Sequence, residues 1–261
     1  FHKRGEAPVL LDEGLSEFSA ENLNRFFRDK GYFDSNVKVS YDKDSIAKKA
    51  KTNYAIKLGE PSYIETFSNK IQDKDIEDFL TQDREQFSGI NLLGKRKTLT
   101  TNYMKESKIS EGDQYNFDNF EAERDRIVDL LKNRGYYDFN DSGEDLYFEA
   151  DTLKSNKRLD VTLFIDKFVK DTIVKDSTKQ FVRYNWGNIN IFSDARSSND
   201  INFDSIEKVE HKEYNVYYSK DKKYKPRYYT DAFVIRPGQT FRQRQEIQTK
   251  RNIFKRENIN L

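Results

Sequence analysis

Apolar residues along this chain fall into two rhythms, and both rhythms repeat. Leu23, Phe26 and Phe27 are spaced i, i+3, i+4, and the same spacing returns at Ile127, Leu130 and Leu131. That spacing lays one apolar stripe along an amphipathic helix. Each predicted helix runs into a glycine and two aromatics, Gly31-Tyr32-Phe33 in one case and Gly135-Tyr136-Tyr137 in the other. Lys30 and Arg134 stand just before these glycines, and the passage 23–34 matches 127–138 at a constant offset of 104 positions. A cation suits the negative end of a helix, and glycine is the residue best able to close one in the left-handed conformation. At the helix starts, Ser19 and Asp118 are placed as N-caps, with Glu121 completing a capping box after Asp118.

After each helix the period changes to two. Val37, Val39 and Tyr41 alternate with polar residues, then Tyr54, Ile56 and Leu58 do. In the second passage Leu146, Phe148 and Ala150 alternate, followed by Leu159, Val161, Leu163 and Ile165. Alternation of this kind predicts antiparallel hairpins with one buried face, lying on the helix. Another aromatic strand follows each hairpin: Tyr63, Glu65 and Phe67 after Pro61, and Tyr184, Trp186, Ile189 and Ile191 after a charged link at 166–180. A helical stretch is expected from Ile76 to about Asp83, and another from Phe241 to Phe254. Residues 86–112 read as an insertion between two helices. Tyr214–Tyr218 reads as a short strand or an aromatic contact, and Gly187 and Gly238 as a bulge and a turn. The repeated unit is strand, helix, helix, strand, strand, an α+β module with two helices on one face of a small mixed three-stranded sheet.

Composition supports several small units over one large one. The apolar set is 35% of 261 residues, charged residues are another 35%, and mean hydropathy is −0.97. That is too polar for a single deep core. Yet 20 Phe and 16 Tyr, with a net charge of only +1, are unlike a disordered tail. Small domains bury a smaller fraction of their chain, which reconciles the two facts.

The same composition removes most chemistry. With no cysteine there are no disulfides, thiolate metal sites or cysteine nucleophiles. Two histidines far apart, His2 and His211, leave no histidine metal site or triad. Carboxylates such as Glu121, Glu123 and Asp125 read as helix-surface charge beside Arg126, not as a facing catalytic pair. No glycine-rich loop leads a lysine into a helix, so no nucleotide site is expected. The reading is therefore no enzyme, no catalytic residue, no metal, no cofactor and no small-molecule substrate. Near-zero net charge argues against nucleic acid, with Lys222–Lys225 and Arg227 left as a solvated patch. No apolar run approaches the ~18 residues of a membrane-spanning helix. Trp186 and Tyr184 read as packing aromatics and not as a sugar platform.

A strand–helix–helix–strand–strand unit with Gly-Tyr-Phe or Gly-Tyr-Tyr closing its second helix resembles the POTRA domain. The sharpest stretch is Glu123-Arg124-Asp125-Arg126-Ile127, continuing through Leu130-Leu131 to Arg134-Gly135-Tyr136-Tyr137. It is similar to the POTRA arrays of the BamA/TamA superfamily of outer-membrane assembly proteins. Gly5-Glu6-Ala7-Pro8-Val9-Leu10 resembles the TamA-like lipoprotein branch of Bacteroidetes, called TamL. Tyr224-Lys225-Pro226-Arg227 and Ile235-Arg236-Pro237-Gly238 resemble the last module before the membrane barrel.

The resemblance implies an elongated array: a module at 1–60 lacking its opening strand, one at 61–170 with the insertion near 86–112, and one at 171–261 with its closing strands incomplete. It implies a periplasmic place, lipidation at the N-terminus, and attachment to the outer membrane through a β-barrel not present in this chain. Implied partners are unfolded outer-membrane or surface client proteins, the C-terminal β-barrel of the same protein, and a TamB-like inner-membrane partner. Clients would add a strand to an exposed sheet edge, by main-chain hydrogen bonds that read no sequence. In such modules the second strand lies at the edge, which here means Val37, Val39 and Tyr41, and Leu146, Phe148 and Ala150. The other reading is a rigid scaffold or spacer without clients, in which Pro61 limits rotation between modules.

Overall fold

Asp12, not Ser19, caps the first helix. In the computed structural model, which describes residues 10–90, 95–139, 145–151, 157–166, 181–193, 206–218 and 224–257, helix α1 runs Glu13–Asp29. The Asp12 carboxylate accepts the Leu15 N–H at 3.0 Å. Ser19 lies inside the helix, its hydroxyl donating to the Leu15 carbonyl at 2.7 Å. A serine can satisfy itself on the preceding turn, whereas a carboxylate can only accept and so takes the free N–H groups at a helix start.

The chain forms two compact units, each with its own core. The first comprises Phe1–Ile71, Phe79–Glu123 and Tyr147–Phe164, and the second Gln72–Asp78, Arg124–Leu146 and Ile165–Leu261.

In the first unit, β1 (Asn36–Asp44) and β2 (Lys49–Lys57) follow α1 as a two-stranded antiparallel sheet, paired from Asn36↔Lys57 to Asp44↔Lys49. This register puts Val37 opposite Ile56, Val39 opposite Tyr54 and Tyr41 opposite Thr52. Opposed residues share a face, and α1 packs on the β1 side of it. Tyr41 donates its hydroxyl to the Glu13 carbonyl at 3.1 Å. Leu58, expected to end the second strand, lies just past β2.

Next come β3 (Tyr63–Ile71), α2 (Lys74–Thr81), β4 (Arg84–Ile90) and β5 (Arg96–Thr101), then α3 (Phe117–Lys132), β6 (Leu146–Asp151) and β7 (Arg158–Ile165). The sheet order is β3-β7-β6. Thr66 bonds Asp160 and Ser68 bonds Thr162, so the partners advance together, as neighbours in parallel strands do. Ile64, Ile109, Phe120, Leu159 and Val161 form the core, with Phe33, Phe67, Tyr115, Phe148 and Ala150 packed on it. The expected insertion contains a β4–β5 hairpin with a bulge at Phe87/Gly89, and Phe87 and Leu99 are exposed.

Two expectations along α3 change. Asp118 is not its cap: the Asn116 side chain accepts the Asp118 N–H at 3.2 Å, two residues earlier than predicted. Glu123 is not surface charge. It is fully buried, and its carboxylate accepts the Lys108 N–H at 2.9 Å. Helical periodicity places Glu123 on the stripe of Ile127, where its carboxylate meets the Lys108 N–H of the loop that precedes α3.

In the second unit, β8 (Ile189–Phe192), β9 (Glu207–His211) and β10 (Tyr214–Tyr218) make a sheet ordered β8-β10-β9. β10 is parallel to β8 and antiparallel to β9. Its alternation, with Tyr214, Val216 and Tyr218 inward, joins Ile189, Ile191 and Ile235 in a core flanked by Trp186, Val209, Tyr229 and Phe233. α4 (Pro226–Thr230) starts with proline at its first position, and α5 is Gln243–Glu257. In this stretch the three strands precede both helices, where the repeat pattern placed helices directly after the opening strand. Asp73 caps α2 through the N–H groups of Asp75 and Ile76, and its other oxygen accepts the Phe181 N–H at 3.0 Å.

Candidate functional site

A sheet edge binds through main chain, so what matters is which strands are terminal and where their side chains go. β6 is terminal in β3-β7-β6, beyond the central β7. Leu146 is fully buried, and Phe148 and Ala150 turn toward the core, Phe148 meeting Phe120 edge-on at 5.3 Å between ring centres. Val37, Val39 and Tyr41 are half-buried on β1. All six therefore support the sheet from within, and the strands would offer only backbone at the edge. The outward residues are Glu149 and Asp151 on β6, and Lys38, Ser40 and Asp42 on β1. The opposite edge, β3, is partly occupied: Ile64 N–H bonds the Asp113 carbonyl, and Gly112 N–H the Ile64 carbonyl.

The glycine–aromatic motifs do something the sequence alone did not disclose. Gly31 and Gly135 take positive φ, 89° and 110°. Both helices close with the same pair of bonds: Gly31 to Arg28 and Tyr32 to Phe27, then Gly135 to Lys132 and Tyr136 to Leu131. Each glycine carbonyl then accepts from the segment that opens the next sheet. Ser62 N–H bonds Gly31 at 3.0 Å, and Tyr184 N–H bonds Gly135 at 2.8 Å. A second link follows in each case. Tyr115 N–H bonds the Ser62 carbonyl at 2.9 Å, and Phe241 N–H the Tyr184 carbonyl at 2.8 Å. Tyr115 and Phe241 each stand two residues before a helix, α3 and α5.

Side chains repeat the pattern. Phe33 packs on Tyr115 at 5.1 Å, and Tyr137 on Phe241 at 5.0 Å, between ring centres. At the first joint Lys30 bonds Asp118 and Asn116, and Lys157 bonds Asp34. At the second, Arg244 bonds Asp129, and Tyr184 donates to Asp138. That carboxylate, with some burial, pushes the Tyr184 phenol above its usual value. Burial does the same to Tyr136, against the pull of Arg183. Neither glycine tolerates a side chain: a Cβ would lie 2.8 Å from the Tyr115 carbonyl at Gly31 and 2.7 Å from the Thr240 methyl at Gly135.

Among the described residues no three His, Asp or Glu side chains gather as a metal site, and no helix is long and apolar enough to cross a membrane.

Residues 85–167 match the family described as POTRA, surface antigen variable number repeat. The likeness to a POTRA domain thus covers about a third of the chain. None of the curated proteins matches the chain. Among solved structures, POTRA3-5 of Haemophilus influenzae BamA aligns at 11% identity with a TM-score of 0.44, over 95% of this chain and 72% of that one. BamA of Haemophilus ducreyi lacking POTRA domains 1-3 aligns at 13% and 0.35, over 63% of this chain and 25% of that one. POTRA1-3 of the periplasmic domain of Omp85 from Anabaena aligns at 16% and 0.27, over 60% and 51%. The chain thus spans about half of the Anabaena structure and a quarter of the Haemophilus ducreyi one.

Proposed function

We propose that this chain is a periplasmic POTRA region of an outer-membrane assembly or translocation factor, receiving client strands along the edges of β1 and β6. The observation that carries the reading is the POTRA match over 85–167, in a segment whose sheet ends in β6. An extended client adds to such an edge through N–H and C=O groups, so one edge serves many sequences. The finer proposal divides the chain into modules at 1–60, 61–170 and 171–261. It places them in a TamL-like lipoprotein, ahead of a C-terminal β-barrel and beside a TamB-like partner. The paired glycine joints favour a second reading, a rigid spacer, because each fixes a helix end to the next sheet by backbone bonds.

The absence of native cysteine makes the test clean. Single cysteines at Glu149 on β6 and Thr162 on the central β7 are each offered an extended outer-membrane strand peptide carrying one cysteine. Client binding predicts disulfide capture at 149 and little at 162. Equal capture at both, or none at 149, removes the client reading and leaves the spacer.

A further inference from the structure

The β4–β5 hairpin is bare on both faces yet fastened at its base. Every residue at 85–88 and 95–100 is exposed. No chain end explains this exposure. The hairpin lies inside the chain and both flanks are packed, with Leu80 before it and Ile109 after it buried. Its base is held by side chains. Thr101 and Asn102 are buried. The Arg84 guanidinium lies 3.6 Å over the Tyr103 ring and pairs with Glu106. The Asn102 side chain donates to Asp83 at 2.9 Å and accepts the Lys105 N–H at 2.9 Å. From that base a seven-residue strand spans about 20 Å.

The register shows what each face carries. Phe87 lies opposite Thr98, and Gln86 opposite Leu99, so Phe87 and Leu99 stand on opposite faces. Phe87 is 56% and Leu99 58% exposed. The Arg96 guanidinium sits 5.5 Å over the Phe87 ring. Strand alternation puts Lys97 on the face of Leu99. Each face thus joins one large apolar side chain to a cation. Between Arg84 and Thr101 stand four cations, Arg84, Lys95, Arg96 and Lys97, against the single acid Glu85. That stretch carries a net charge of +3, where the entire chain has +1. A rigid protein surface would cover only one face of such a hairpin. A layer of lipid headgroups surrounds it and covers both, and an anionic layer matches its charge.

We propose that the β4–β5 hairpin is an arm that docks on an anionic phospholipid surface, with Lys95, Arg96 and Lys97 against the phosphates and Phe87 and Leu99 seated among the headgroups. The outer N–H and C=O groups of a two-stranded hairpin need water, which sets the depth: the arm stays in the headgroup layer and does not enter hydrocarbon. Each cation near such a surface contributes a factor of about five to binding. The contact is made by side chains, is separate from the edges of β1 and β6, and does not rest on the client reading.

The test uses the full chain with vesicles of equal parts phosphatidylglycerol and phosphatidylcholine, and with vesicles of phosphatidylcholine alone. Sedimentation with the mixed vesicles is expected, weakening as salt rises. Lys95→Gln, Arg96→Gln and Lys97→Gln together should weaken it about a hundredfold. Phe87→Ser with Leu99→Ser should weaken it about tenfold. All five positions are exposed, and melting checks that each variant folds. Lys49→Gln, Lys51→Gln and Lys57→Gln together, on the other exposed hairpin, should leave binding within about threefold. A polarity-sensitive dye on Thr98→Cys should shift to the blue on the mixed vesicles, and the same dye on Lys51→Cys should not. The proposal fails if the mixed vesicles are not bound, if phosphatidylcholine alone is bound equally well, or if both triple variants lose binding equally. It also fails if polyglutamate, and not the vesicles, shifts the dye at position 98, which would assign the arm to an acidic protein.

Discussion

Replacing Gly135 by Ala tests whether the glycine is needed for its backbone, for its emptiness, or for both. Its φ of 110° lies beyond the left-handed basin open to other residues. Holding alanine there costs about 1–3 kcal/mol. The new methyl would start 2.7 Å from the Thr240 methyl, where ordinary contact begins near 3.4 Å. Thr240 is exposed, so its methyl can turn aside off its rotamer, at about 0.5–1.5 kcal/mol. Alanine's smaller unfolded-state entropy returns about 0.4–1 kcal/mol. The net loss is about 0.5–4 kcal/mol. Two other glycines separate the terms. Gly238 has φ 76° and nothing within 4 Å of its Cβ position, so Gly238→Ala should show backbone strain alone. Gly187 has neither feature, and Gly187→Ala should stay within about 0.5 kcal/mol of the parent. Urea unfolding of the three variants gives the comparison. Thr240→Ser, which removes the offending methyl, should restore the contact part in a Gly135→Ala background and leave the strain. Equal losses at Gly135 and Gly238, or no rescue by Thr240→Ser, would refute the close-approach argument.

The remaining predictions probe other particulars. Asp12→Ala should cost about 1 kcal/mol in chemical denaturation while Ser19→Ala costs less, because the first removes the cap and the second an internal hydroxyl. Glu123→Ala should cost about 1–3 kcal/mol and speed amide exchange at Lys108, whose N–H loses its buried acceptor. Leu163→Ala should cost about 2–5 kcal/mol by opening a cavity behind a fully buried strand position. Asp231 is held down from 3.8 to about 2 by its bond to Lys212 and then by Arg227, against slight desolvation. Its contribution is complete above the ordinary value and disappears as pH falls toward 2. Asp231→Asn should therefore flatten the fall in melting temperature over that acid window.

Local order was legible because it is periodic. The offset of 104 located α1 and α3, the glycines that close them and the hairpins that follow, since helix stripes and strand alternation are properties of spacing. Caps were less so. Several polar residues near a helix start compete for a few N–H groups, and geometry chose Asp12 and Asn116 over Ser19 and Asp118. Glu123 was misplaced because charge in a helical pattern normally marks the wet side. Its helical phase, in register with Ile127 and Leu131, was the available signal. In 171–261 the sequence pointed to β8, β10 and α5 but not to β9 or α4, and alternation names a strand without naming its neighbour.

Taken alone, the amino-acid sequence determined the two repeats, the glycines that close their helices and the strand alternation that follows. These follow from residue type and short-range spacing. Only the tertiary structure decided that the glycine carbonyls reach Ser62 and Tyr184, that β6 is terminal while β7 is central, and that β2, alike in pattern to β7, pairs with β1 alone among the described strands. Those facts depend on segments that meet across 31 positions at Gly31 and Ser62, 49 at Gly135 and Tyr184, and 94 between β3 and β7. Periodicity carries the face a residue occupies, but it holds no record of what covers that face.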